Sequence, residues 1–77
     1  MTIYNEVQAE VTRSRKLHGD FHGAHEGYAV LLEEVNELWD EVKLRKRGFL
    51  TMRTECVQIA AMAIKFAEDV CDKKNDR

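Results

Sequence analysis

No proline occurs in this 77-residue chain, so only its four glycines interrupt helix formation, and three of these, Gly19, Gly23 and Gly27, fall in one segment. Cysteine is nearly as scarce. Cys56 and Cys71 lie in one expected helix, where about 22 Å of axial rise separates them, too far for an intrachain disulfide. They read as reduced, semi-buried thiols. No apolar run approaches the ~20 residues of a membrane span. The opening Met1-Thr2-Ile3-Tyr4-Asn5-Glu6 lacks the charged-then-apolar order of a signal peptide, so the expected compartment is the cytoplasm. A basic excess is missing too: the formal net charge of −2 argues against a nucleic-acid-binding surface, and an anionic ligand would need a metal bridge.

What remains, 44% hydrophobic and 34% charged residues, describes a soluble helical protein of one domain spanning residues 1–77. A core this small buries too little apolar surface to be comfortable alone, which implies a partner chain. Three helices are expected. The first, residues 2–16, sets Ile3, Val7 and Val11 on a narrow stripe beside Tyr4. A loop follows, rich in glycine and histidine, whose Phe21 is expected to tuck back onto the core. The second helix, residues 25–47, carries Tyr28, Leu31, Leu32, Val35, Leu38, Trp39 and Val42 at the spacing of a buried face. Lys43, Arg45, Lys46 and Arg47 should crowd its last turn, and Gly48 should end it. The third, residues 51–72 with Thr51 as N-cap, offers Met52, Cys56, Ile59, Ala60, Ala63, Phe66, Ala67 and Val70 as its apolar face. A short turn between two long helices makes an antiparallel hairpin. The expected fold is therefore all-α: an antiparallel helical hairpin plus a shorter N-terminal helix, completing a four-helix-type bundle by oligomerisation as a homodimer or homotetramer.

That hairpin sets one acidic stretch beside another. Glu34, Glu37 and Glu41 project within about 60° of one another at one edge of the second helix's stripe. Glu55, eighteen residues after Glu37, falls close to the third helix's apolar face, with Gln58 slightly further out. A carboxylate so placed is costly unless a cation meets it, and the facing helix offers other carboxylates instead. Hard oxygen donors without paired His or Cys suit Mg²⁺, or Mn²⁺, in preference to zinc, and such sites bind substrate phosphates. The competing interpretation is a solvated acidic helix, because glutamate is an excellent helix former.

Glu34-x-x-Glu37, seventeen intervening residues and Glu55-x-x-Gln58 resemble the Glu-x-x-Glu, Glu-x-x-Asp signature of the MazG-like, all-α nucleoside triphosphate pyrophosphatases. Glu33 completes the usual Glu-Glu-x-x-Glu, and the flanking His25-Glu26-Gly27-Tyr28-Ala29-Val30-Leu31-Leu32 and Ile59-Ala60-Ala61-Met62-Ala63 resemble short, phage-type members. The resemblance covers residues 25–70. It implies Mg²⁺-dependent hydrolysis of a nucleoside triphosphate to monophosphate and pyrophosphate, and a house-cleaning role against noncanonical or excess nucleotides. Glu34, Glu37 and Glu55 would be metal ligands, and Glu33 with Glu37 would orient a metal-bound water or the substrate. Gln58 stands where the family has aspartate. An amide oxygen ligates Mg²⁺ more weakly than a carboxylate, so three outcomes stay open: Gln58 serves as a ligand, the substrate's phosphates complete the site, or the chain is a catalytically silent module binding nucleotides or a protein.

Other residues attract attention for lesser reasons. His18, His22 and His25 sit in or beside the loop without a fixed register and are expected to line a surface, not a metal. Arg53 is the best single candidate for triphosphate binding. Trp39 reads as core or interface. Asp69 lies about 21 Å along the helix from Glu55 and cannot share a metal with it.

Overall fold

The computed structural model describes residues 2–44, 46 and 48–73, which form three α-helices, α1 (Ile3–His18), α2 (Ala24–Val42) and α3 (Phe49–Phe66), with α3 widening into a π-helical extension, Ala67–Asp72. No strand occurs among the described residues. Thr2 caps α1 by accepting from the Asn5 N–H at 3.2 Å. Gly19 ends it at φ 75°, a left-handed conformation that costs glycine nothing, with its N–H closing on the Arg15 carbonyl at 2.8 Å. Glu26, in the first turn of α2, reaches back to accept the His22 N–H at 2.6 Å, and so ties the loop to the helix it precedes.

Both ends of the α2–α3 turn differ from expectation. The second helix stops at Val42, where the Lys43 and Leu44 N–H groups bond to Trp39 and Glu41 and tighten the chain out of the helix. Lys43 and Lys46 therefore lie beyond the last turn, and Arg45 and Arg47 fall outside the described residues. The third helix begins at Phe49 with Gly48 as its N-cap, not at Thr51. The Met52 N–H already bonds to the Gly48 carbonyl at 3.0 Å, so Thr51 is inside the first turn.

α3 packs against both α1 and α2, and this two-sided packing sets the core. Val7 and Val11 of α1, Phe21 of the loop, and Val57, Ala61 and Met62 of α3 are buried, with Val30, Leu31, Ala60, Phe66 and Val70 against them. Phe21 tucks in as expected. Gly27 lets α2 approach closely, since a Cβ there would sit 2.7 Å from Phe66 Cδ2 and 3.2 Å from Phe21 Cδ2. The apolar faces read from periodicity are rotated by this arrangement. On α3, Cys56, Ala63 and Ala67 are exposed, while Val57, Ala61, Lys65 and Asp69 face inward. Both cysteines are free and exposed instead of semi-buried. On α2 only one edge is covered, so Tyr28, Leu32, Val35 and Trp39 remain in solvent.

The most buried charged side chain is Lys65, only 1% exposed. Its ammonium donates to Ser14 Oγ and to the Gly19 carbonyl, both at 2.9 Å, and lies 4.4 Å from the centre of the Phe21 ring. One turn on, buried Asp69 accepts from Arg15 Nη1 at 2.7 Å and from the Phe21 N–H at 2.8 Å. Arg15 also pairs with Asp20 and Glu68 at 2.7 Å. Lys73 adds a bond to Asp20 at 2.9 Å. The widened coil carries Asp69 into this network, which clasps the loop to the far end of α3. No helix of the described residues is long and apolar enough to cross a membrane.

Candidate metal centre

Because α2 and α3 run antiparallel from a short turn, Glu34 and Glu37 come level with Glu55. A carboxylate oxygen from each lies within 4.8 Å of the others, and no other set of three or more His, Cys, Asp or Glu converges in this way among the described residues. Burial pushes the Glu34 carboxyl up to about 7, helped by the charges of Glu37 and Glu55. Glu55 is raised as well, first by burial and then by Glu37 and Glu41. Among the described residues no lysine or arginine pairs with any of the three. Glu55 Oε1 is covered and has no hydrogen-bond partner.

An orphaned carboxylate oxygen among like charges is the arrangement that a hard divalent cation relieves. The donors are all oxygen, which suits Mg²⁺ or Mn²⁺ and not zinc. Glu41 contributes repulsion at Glu55 without joining the trio. The histidines do not converge: His18 lines a cavity, and His22 sits 3.5 Å from Glu26.

Next to the trio lies a cavity of about 310 Å³ between α1, the loop, α2 and α3. Glu33 lines it from α2, one turn from Glu37. Gln58 lines it from α3, one turn from Glu55. The Gln58 amide faces Glu10 of α1, whose carboxyl is held below its usual range first by Arg13 and to a lesser extent by this amide. Arg53 is directed to α1 too, its Nη1 2.7 Å from Glu6 Oε1. Two residues from Glu55 is about 200° around a helix, so Arg53 and the trio occupy different sides of α3. The cations lining the cavity are instead Arg13, bound to Glu10 at 2.6 Å, and the buried Lys65. Sequence reasoning passed over both. The available signal was Lys65 itself, four residues after Ala61 and three after Met62 on what is otherwise an apolar face.

Compared with family models, curated proteins and solved structures, the chain finds no match in any of the three.

Proposed function

We propose that this chain is a Mg²⁺-dependent nucleoside triphosphate pyrophosphohydrolase of the MazG-like kind, self-associating as a dimer or tetramer and releasing monophosphate and pyrophosphate. One observation carries the proposal: three convergent carboxylates, one with a covered and unpartnered oxygen, about one helical turn from the cavity-lining Glu33 and Gln58. Glu34, Glu37 and Glu55 would hold Mg²⁺, with Mn²⁺ as a substitute. Bound there, the ion would neutralise phosphate charge and acidify a coordinated water. Because the Glu34 carboxyl is raised to about 7, filling the site releases a proton near neutral pH. Glu33, exposed on the cavity wall, would help orient an attacking water or the substrate, together with Glu37. Arg13 stands nearer than Arg53 to a phosphate in the cavity. Arg53 could reach one only by leaving Glu6.

A second reading, a catalytically silent module that binds nucleotides or a protein, is favoured by one placement. Gln58 faces Glu10, so the centre rests on three carboxylates where the resembled signature has four. Incubating the protein with a panel of ribo- and deoxyribonucleoside triphosphates, with and without Mg²⁺, and assaying pyrophosphate separates the two. The enzyme reading expects metal-dependent pyrophosphate that disappears in Glu55→Gln. No turnover, together with no Mg²⁺-dependent rise in melting temperature, would overturn it. Because Gln58 faces Glu10, Gln58→Asp is expected to leave Mg²⁺ affinity unchanged, and a tightened affinity would return position 58 to the coordination sphere.

A further inference from the structure

The turn that joins α2 to α3 concentrates charge of one sign. Residues 42–54 hold five of the chain's twelve lysines and arginines and none of its fourteen acidic residues. Four of the five, Lys43, Arg45, Lys46 and Arg47, fall between Val42, where α2 stops, and Phe49, where α3 begins. The same stretch projects its apolar side chains outward: Leu44 is 50% exposed, Phe49 81% and Leu50 77%. Side chains so open to solvent line no groove, and they make this end of the hairpin an apolar tip within a basic collar. The collar is only lightly neutralised. Lys43 lies 3.4 Å from Asp40 with both side chains more than half exposed, where an ion pair is weak. Lys46 is exposed, and Arg53 is held by Glu6. Arg45 and Arg47, outside the described residues, add their charge by sequence.

We infer that this tip docks on the surface of a bilayer containing anionic lipids, with Leu44, Phe49 and Leu50 entering the headgroup boundary and the basic residues meeting the lipid charges. Complementary charge selects the occupant, because a chain of net charge −2 presents an anionic surface with one strongly positive end. Shape favours the same occupant. Projecting groups on a convex tip suit a soft, flat partner, and the long stems of lysine and arginine keep their charged heads at headgroup level while the apolar groups go deeper. Single-stranded nucleic acid fits less well: its bases stack on aromatic rings along a groove, whereas two of the three projecting groups are leucines. Trp39, 56% exposed and one turn before Lys43, would lie at the interface, where tryptophan is favoured. Glu55 comes six residues after Phe49, about 9 Å along α3, and Gln58, which lines the cavity, about 13 Å along it. Docking therefore holds the carboxylate trio about one Debye length behind the anionic surface and leaves the cavity open.

The test uses the full chain and its single tryptophan, without Mg²⁺. The protein is mixed with vesicles of phosphatidylcholine alone or of phosphatidylcholine with about 30% phosphatidylserine, and the bound fraction is measured by sedimentation. The chain is expected to pellet with the anionic vesicles only, with Trp39 emission moving to shorter wavelength, and to be released as salt rises from about 0.05 M to about 0.5 M. Lys46→Gln should weaken partitioning roughly fivefold, and Phe49→Ala combined with Leu50→Ala at least ~10-fold. All three side chains are exposed, so helical circular dichroism, and Mg²⁺ titration in the absence of vesicles, should be unchanged in these variants. A wild-type chain that stays in the supernatant at millimolar anionic lipid and low salt would overturn the inference. Equal binding to both kinds of vesicle, or binding that survives both sets of substitutions, would overturn it too, by showing that neither the charge nor the tip makes the contact. Retention on an immobilised single-stranded oligonucleotide or on polyglutamate, with none on vesicles, would instead assign the tip to nucleic acid or to an acidic protein. Because the wild-type partition needs no variant, the inference stands or falls even if a substitution unfolds the chain. The carboxylate trio takes no part in the contact, so the outcome is separate from that of the pyrophosphate assay.

Discussion

Neutralising Glu55 without changing its shape, Glu55→Gln, should make the metal-free protein more stable and the metal-loaded protein less so. Its carboxylate lies within 4.8 Å of its two acidic neighbours, and its covered oxygen has no partner. At that separation a pair of unit charges repels by about 1 kcal/mol in water and by ~3–4 kcal/mol at the effective dielectric of a protein surface. The carboxyls are part-exposed, so the lower figure is the appropriate one. About 1 kcal/mol in a domain of this size corresponds to a rise of roughly 4–8 °C in melting temperature. The measurement is thermal unfolding by circular dichroism at pH 8 in EDTA and again across a Mg²⁺ titration. Wild type should melt lower than Glu55→Gln in EDTA and should gain the larger increment from Mg²⁺. A variant that melts lower in EDTA, or that keeps the full Mg²⁺ increment, would refute the electrostatic reasoning and return the trio to an ordinary solvated surface.

The same carboxylates give a pH dependence. Since the folded chain raises Glu34 from the usual carboxylate range to about 7, its contribution to metal-free stability is full below about pH 4.5 and is lost as pH climbs through 7. The Mg²⁺-induced rise in melting temperature should therefore be greater at pH 8 than at pH 5, and an equal rise at both would contradict this. Gly27→Ala should destabilise: the added methyl meets Phe66 at 2.7 Å. Overpacking of ~1–3 kcal/mol then outweighs or cancels a helix-propensity gain of about 1 kcal/mol; a clearly raised urea midpoint would show that Phe66 yields freely. Asp69→Ala removes the buried acceptor of Arg15 and of the Phe21 N–H while leaving Arg15 its pairs with Asp20 and Glu68, and should cost about 1–3 kcal/mol in chemical denaturation, whereas a loss under 1 kcal/mol would mean that the loop is held by other contacts.

The hairpin and the trio were legible in the sequence because both depend only on helical periodicity and a short turn. Glu34, Glu37 and Glu55 meet wherever two antiparallel helices carry them at those positions. The roles of Gln58 and Arg53 were not, since motif spacing assigns a residue its place along a helix but not the neighbour it faces. Both lie on the half of α3 that α1 covers, where Glu10 and Glu6 wait for them. Lys65 and Asp69 were illegible for a related reason. A lysine or aspartate on a helix ordinarily points to water, and what buries these two is a loop some 45–50 residues earlier, with hydrogen bonds spanning 46 and 48 positions. Tyr28, Leu32, Val35 and Trp39 were expected on a buried face and are exposed, because periodicity marks an apolar stripe without showing which edge of it α3 covers.

The bond from the Phe21 N–H to Asp69 makes a single amide into a gauge. Phe21 lies outside the helices, so no helical ladder shields its proton, and its exchange with solvent deuterium is slowed chiefly by a carboxylate from the far end of the chain. A disturbance of residues 65–73 that breaks this bond would thus be reported at position 21, on the cavity wall. One resolved amide resonance could follow that clasp in solution with no ligand present.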